Sequence, residues 1–301
     1  MSTVLSITNV GVRFAGSDAA NLRPAVDGVS LDIERGEIFG IVGESGSGKS
    51  TLANAVMGLL PANTAVTGSI RLNDRELIGL GEDDLCRMRG VDMSMIFQDA
   101  SASLDPVWSV GDQIAETVRA HHAVSRGAAK ARAIELMIEV GIPDAAARYG
   151  SVPHRFSGGM RQRIVIAAAL ANNPGLLIAD EPTTALDVTI QAQVLQLIDR
   201  LRRTHGTTVL LITHDLGVVS QVCDRVAVMY GGRLLEVART ADLFARPNHP
   251  YTRALLAANP AGAPRQSRLP VIPAEWSVES LEQSERQKTP AQRPVEEVAH
   301  D

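Results

Sequence analysis

Cysteine is nearly absent: the 301 residues hold two, Cys86 and Cys223, far apart and without a Cys-x-x-Cys partner. That pattern excludes a disulfide framework or a structural thiolate metal site and suits a reducing compartment. A basic excess is missing as well. The formal net charge is −5, whereas nucleic-acid binders usually carry a basic excess or stripe, so no nucleic acid is expected as a partner. Long apolar runs are also lacking. IVIAAALA and VLLIT are core-sized, well short of the ~20 residues of a membrane-spanning helix. The opening MSTVLSITNV has no basic start followed by an apolar run, so no secretory leader is expected. What is abundant is core material. Hydrophobic residues make up 45% of the chain, enough for one large domain with or without an appendage.

Apolar and polar residues alternate through Val4, Ile7, Val10, Val12 and Phe14, and again through Val29, Leu31 and Ile33, which predicts two strands. The short run IFGIVG reads as a buried strand that leads into a glycine loop and then a helix from Lys49 to about Leu60. GSIRLND reads as an edge-type strand and MSMIF (Met93 to Phe97) as a buried one. From about Pro106 to Tyr149 the spacing turns helical, and proline and glycine bracket this block. It is expected to form a helical subdomain (about residues 100–172) inserted into an α/β core. The alternation is then regular: a helix after Ser157, strand GLLIAD, a long helix with Asp187 as N-cap and Gly206 as its stop, strand TTVLLITH, helix DLGVVSQVC, and strand RVAVMY. Such alternation predicts a mostly parallel sheet covered on both faces. The stretch after Pro260, rich in proline, Gln, Glu and Arg, is expected to be extended or disordered.

Gly43-x-x-x-x-Gly48-Lys49-Ser50 follows a predicted strand and opens a predicted helix, the context of a phosphate-binding loop. Its glycines let the backbone amides of Gly43, Glu44, Ser45, Gly46, Ser47, Gly48, Lys49, Ser50 and Thr51 wrap around an anion. Lys49 would neutralise phosphate oxygens, and the Ser50 hydroxyl would ligate Mg²⁺. The bland alternative is a glycine-rich turn before an ordinary helix. In LLIADEP a buried strand ends on Asp180, suited to hold Mg²⁺ through water. Glu181 follows, placed to take a proton from an attacking water. His214 ends strand VLLITH and Gln98 follows MSMIF, so both reach the carboxyl edge of the sheet, where such sheets bind ligands. There His214 can bond a γ-phosphate, and Gln98 can touch Mg²⁺ and water. FSGGMRQR, with Ser157, Gly158 and Gly159 ahead of IVIAAALA, reads as a second anion-attracting helix start. Phe14 is a candidate for stacking on adenine, although an aromatic there serves equally as core.

These motifs, in this order, resemble the ATP-binding cassette (ABC) ATPases over residues 3–258. FQDASASLDPVWSVGDQI, PHRFSGGMRQR, DEPTTALDVTIQAQVL and NHPYTRALLAANP resemble the ATPase subunit of oligopeptide, dipeptide or nickel importers. The resemblance implies a P-loop NTPase core with an N-terminal antiparallel β subdomain and the inserted helical subdomain. The Ala185-Leu186-Asp187 segment is among the motifs that carry the resemblance, which also implies hydrolysis of ATP with Mg²⁺ and head-to-tail pairing with a second ATPase subunit, related or identical. Two membrane permease subunits and an extracytoplasmic solute-binding protein would complete the assembly, at the cytoplasmic face of the membrane. Met160 stands where the wider superfamily has glutamine. Many members of this branch carry a four-cysteine site after a proline-rich segment like Leu269–Pro273. No cysteine follows Cys223 here, so no iron–sulfur cluster is expected.

Two competing classes fit less well. Soluble ABC ATPases acting on DNA carry long coiled-coil or zinc insertions, and those acting on ribosomes usually hold two cassettes. A small P-loop kinase has no use for FSGGM. The transported solute is not encoded in these motifs.

Overall fold

The computed structural model describes residues 2–15, 24–99, 102–184 and 186–258. The expected tail 259–301, with Leu269–Pro273, and Ala185 of the Ala185-Leu186-Asp187 segment lie outside them. In chain order the first elements are β1 (Thr3–Phe14), β2 (Val26–Glu34), β3 (Ile38–Val42), α1 (Lys49–Met57), β4 (Thr64–Leu72), β5 (Arg75–Glu76), α2 (Glu82–Met88) and β6 (Met93–Ile96). Helices α3 (Val110–His121), α4 (Arg126–Glu139), α5 (Ala145–Arg148) and α6 (Gly158–Ala169) follow, with a 3₁₀ turn at Pro153–Arg155. Next come β7 (Leu176–Asp180), α7 (Val188–His205), β8 (Thr208–Thr213), α8 (Leu216–Val222), β9 (Arg225–Tyr230), β10 (Arg233–Arg239) and α9 (Thr240–Ala245). This first compact unit runs to His249, and a second begins at Pro250 with α10 (Pro250–Ala257).

Two sheets result. The first, ordered β2-β1-β4-β5, is antiparallel throughout. The second is ordered β10-β9-β3-β8-β7-β6, parallel from β9 to β6, with β10 antiparallel on its edge. The runs IFGIV, TVLLIT and LLIAD are buried at every position, as strands covered on both faces require. Helix α1 joins the layers: Leu52, Ala53 and Val56 share one apolar core with Val10 and Val12 of the first sheet and Phe39, Ile41 and Ile178 of the second.

Local chemistry sets the boundaries. Helix α1 stops at Met57, short of the expected Leu60, because Gly58 turns left-handed (φ 64°). The amides of Gly58 and Leu59 then cap Ala55 and Asn54. Asp187 accepts from the Ile190 amide at 3.0 Å, and Gly206 (φ 69°) ends α7, as the sequence anticipates. Ser109 and Ser125 cap α3 and α4 in the same way. Strand β10 is an addition to the sequence reading. Gly231 (φ 54°) and Gly232 (φ 85°) form a two-residue hairpin between Tyr230 and Arg233.

Candidate functional site

Strand order brings four loops to one edge. Strand β8 lies between β3 and β7, and β6 flanks β7, all parallel, so their carboxyl ends point the same way. The glycine loop leaves β3, His214 leaves β8, Asp180 and Glu181 end β7, and Gln98 follows β6. An open cleft there is lined by Ser45 to Thr51 together with Ala25, Gln98 and Glu181.

Sterics dictate the shape of the loop. A Cβ on Gly43 would lie 2.1 Å from the Met229 carbonyl oxygen, and one on Gly48 (φ 100°) 2.3 Å from that of Ala25. The loop closes to this radius only because neither carries a side chain. Lys49 is buried, and its Nζ donates to the carbonyls of Gly43 (2.8 Å) and Glu44 (2.7 Å) and to Ser47 Oγ (3.2 Å). Burial pulls its pKa below the ordinary lysine value, against the opposing charges of Glu181, Asp180 and Glu44. The first-turn amides of α1 add donors with no partner inside the helix. A curved set of amides around a cation fits a polyphosphate.

Ser50 Oγ donates to Asp180 Oδ1 at 3.1 Å. Burial raises the Asp180 pKa, Glu181 pushes the same way, and the Ser50 bond and Lys49 hold it down. Among the described residues no group of three His, Cys, Asp or Glu is arranged to hold a metal ion. One carboxylate and one hydroxyl fit Mg²⁺ when substrate phosphates and water complete its shell, the usual manner of Mg²⁺ at nucleotide sites.

Glu181 sits in a left-handed conformation (φ 48°), its amide bonded to the Ile212 carbonyl at 2.8 Å. This turn aims its carboxylate across the strand ends. Oε1 lies 3.0 Å from His214 Nδ1, while Oε2 accepts from Gln98 Nε2 and from Thr184 Oγ1, each at 2.8 Å. Burial pushes the Glu181 pKa up, but the bonds from His214 and Thr184 and the charges of His214 and Lys49 outweigh it, leaving it below the ordinary value. A carboxylate that stays ionised beside a phosphate cradle can accept a proton from water.

The other sequence candidates lie apart. Ser157 caps α6 by accepting from the Met160 amide at 3.4 Å, and Gly158 and Gly159 form its first turn. None of the three lines the cleft at Lys49. Phe14 closes β1 and is 43% exposed, which removes the core alternative; it does not line the cleft either. Thr184 and Ala25 reach the site without having been singled out.

Comparison with known proteins agrees with this geometry. A family model described as ABC transporter matches residues 26–184, and one described as Oligopeptide/dipeptide transporter, C-terminal region, matches residues 235–286. The Dipeptide transport ATP-binding protein DppD of Bacillus subtilis is 49% identical over 262 residues, 86% of this chain and 78% of that one. The Oligopeptide transport ATP-binding protein OppD of Lactococcus lactis subsp. cremoris is 48% identical over 286 residues, 95% and 83% of the two chains. Among solved structures, a dimeric ATP-binding cassette in a post-hydrolysis state, bound to ADP and Pi, superposes with a TM-score of 0.69 at 28% identity. It covers 78% of this chain and 98% of that one. Joined to a phosphate cradle, an oxygen pair for a cation and an ionised carboxylate at one sheet edge, these likenesses place the chain: it belongs to the ABC transporter family and is one of its ATPases.

Proposed function

We propose that this chain is the ATP-hydrolysing subunit of a peptide importer. The observation that carries the ATPase part is the Glu181 carboxylate at the strand edge that also presents Lys49 and Asp180. The peptide class is supported by relatives near 50% identity named for dipeptide and oligopeptide transport. The same names argue against a soluble ATPase working on DNA or ribosomes.

In this reading the amides of residues 43–51 and Lys49 bind the ATP phosphates, and Ser50 and Asp180 hold Mg²⁺, joined by the Gln98 side-chain carbonyl. Mg²⁺, when bound, supplies Lewis-acid neutralisation of phosphate charge. Glu181 accepts a proton from the attacking water, and His214, through Nδ1, orients that carboxylate while its other nitrogen faces the phosphates. Phe14 stacks on the adenine. Ser157, Gly158 and Gly159 serve the nucleotide of a second ATPase subunit, related or identical, packed head to tail.

Among the described residues no helix is long and apolar enough to cross a membrane. Attachment to the cytoplasmic face then runs through two permease subunits, served outside by a solute-binding protein. Residues 3–258 form the ATPase domain, with residues 100–172 as its helical part, and the cysteine-free tail beyond binds no iron–sulfur cluster. The test is reconstitution with the permeases in vesicles. Hydrolysis should rise when a peptide-loaded binding protein is supplied, and indifference to every peptide tried would defeat the peptide assignment.

A further inference from the structure

Among the described residues three side chains hold the Glu181 carboxylate, and one has no role in the mechanism above. Thr184 Oγ1 donates to Oε2 at 2.8 Å, the oxygen that also accepts from Gln98 Nε2, while His214 takes Oε1. A carboxylate offers about four lone-pair positions. With Gln98 and Thr184 on Oε2 and His214 on Oε1, the position left open is on Oε1.

The two donors on Oε2 are not equivalent. Gln98 is a long, flexible side chain on the loop after β6, and the reading above sends its carbonyl to the cation. Thr184 is tied to Glu181 through the backbone, its amide donating to the Glu181 carbonyl at 3.1 Å, with Pro182 fixing φ between them. Its β-branched side chain leaves few χ1 choices, so the hydroxyl is set in advance even though the residue is exposed. Thr184 therefore fixes Oε2 in advance, while Gln98 can keep its Nε2 on Oε2 as its carbonyl turns toward the cation.

We propose that Thr184 is a positioning residue for hydrolysis, its hydroxyl fixing the Glu181 carboxylate so that the open lone pair of Oε1 faces the attacking water. This rests on the reading of Glu181 as the base. The experiment measures kcat and KM for ATP of the full chain, assembled with its partner subunit, for Thr184→Val, Thr184→Ser, Glu181→Gln and the Val/Gln double variant. Thr184→Val should lower kcat about 10- to 100-fold, the range a misplaced catalytic group costs, with KM within twofold. Thr184→Ser should restore most of the rate. In the Glu181→Gln background the valine should cost nothing further, since the group it positions is gone. Wild-type kcat in Thr184→Val, no rescue by serine, or an undiminished loss in the Gln background would overturn the proposal. A Glu181→Gln chain that turns over normally overturns the base assignment itself, a separate failure. If Thr184→Val does not fold, Thr184→Ala is read by the same criteria.

Discussion

Ser50 and Asp180, 130 residues apart in the chain, meet through a 3.1 Å hydrogen bond that ties the start of α1 to the end of β7. In the proposed function the pair holds a cation, and its buried charge does not serve stability. Asp180 is buried, and its carboxyl prefers the proton more in the folded chain than in the unfolded one. The sign follows from linkage. A raised carboxyl pKa favours folding at acid pH, and that contribution is lost as pH rises through the folded value. At pH 7 the ionised group is therefore a cost. Asp180→Asn keeps an acceptor for Ser50 and removes the charge. Without nucleotide the variant should melt higher at pH 7, by about 2–4 °C for each kcal/mol relieved. The gain should shrink as pH is lowered toward the ordinary aspartate value of 3.8. Mg²⁺-dependent hydrolysis should be lost. Melting curves at two pH values check the first claim, and a lower melting temperature at pH 7 would refute it.

Glu181→Gln keeps the side chain's shape but removes its charge and one of its two acceptor oxygens, and with them the proposed base. ATP affinity should stay within about twofold while turnover falls by roughly 10²–10⁴-fold, the usual worth of a positioned base. Nucleotide titration and steady-state phosphate release separate the two effects. Weakened binding at unchanged turnover would move Glu181 from catalysis to ground-state contact.

The phosphate loop offers a comparison of two glycines. Gly48 and Gly46 both have positive φ, but among the described residues an added Cβ meets the Ala25 carbonyl at 2.3 Å in the first and nothing within 4 Å in the second. Gly46→Ala should cost about 1–2 kcal/mol of backbone strain. Gly48→Ala adds a clash with backbone that cannot swing aside, so it should melt lower and lose nucleotide binding. Equal behaviour of the two variants would mean that the loop relaxes freely.

The parallel sheet was legible because its strands are uniformly apolar and the helices between them carry caps such as Asp187 and Gly206. The convergence of Gln98, Glu181 and His214 on one edge followed from strands expected to run parallel, and the strand order then made them neighbours. The hairpin to β10 was missed although Gly231-Gly232 is a strong turn signal. RLLEVAR lacks clean alternation, and its pairing with β9 shifts register between Leu234 and Glu236. Helix α2 is too short, at seven residues, for helical spacing to stand out. Thr184 was invisible for a different reason. Its bond depends on the left-handed turn at Glu181, a conformation that nothing in ADEPTT announces.

The start of α6 yields the last prediction, because its two glycines face different surroundings. A Cβ on Gly159 would lie 2.6 Å from Ile190 Cγ2, so that glycine is required by packing within the chain. Among the described residues a Cβ on Gly158 finds only Leu186 Cδ2, at the ordinary distance of 3.8 Å, and none of them demands glycine there. An aspartate in the first turn of a helix is favoured by the helix dipole, so Gly158→Asp should fold at least as well as the parent. The same charge repels a phosphate approaching from outside. In a head-to-tail dimer each phosphate loop faces the other subunit's α6, so the damage should appear at the neighbour's nucleotide. The test mixes a Gly158→Asp chain with a second subunit disabled at its own phosphate-loop lysine (Lys49→Ala where that subunit is another copy). Each is inactive with a partner of its own kind. Mixed, they leave one composite site, from the intact loop of the first and the intact helix start of the second, and hydrolysis should return. If the mixture stays inactive while both chains bind each other, Gly158 acts on the nucleotide of its own chain and the shared-site reading fails.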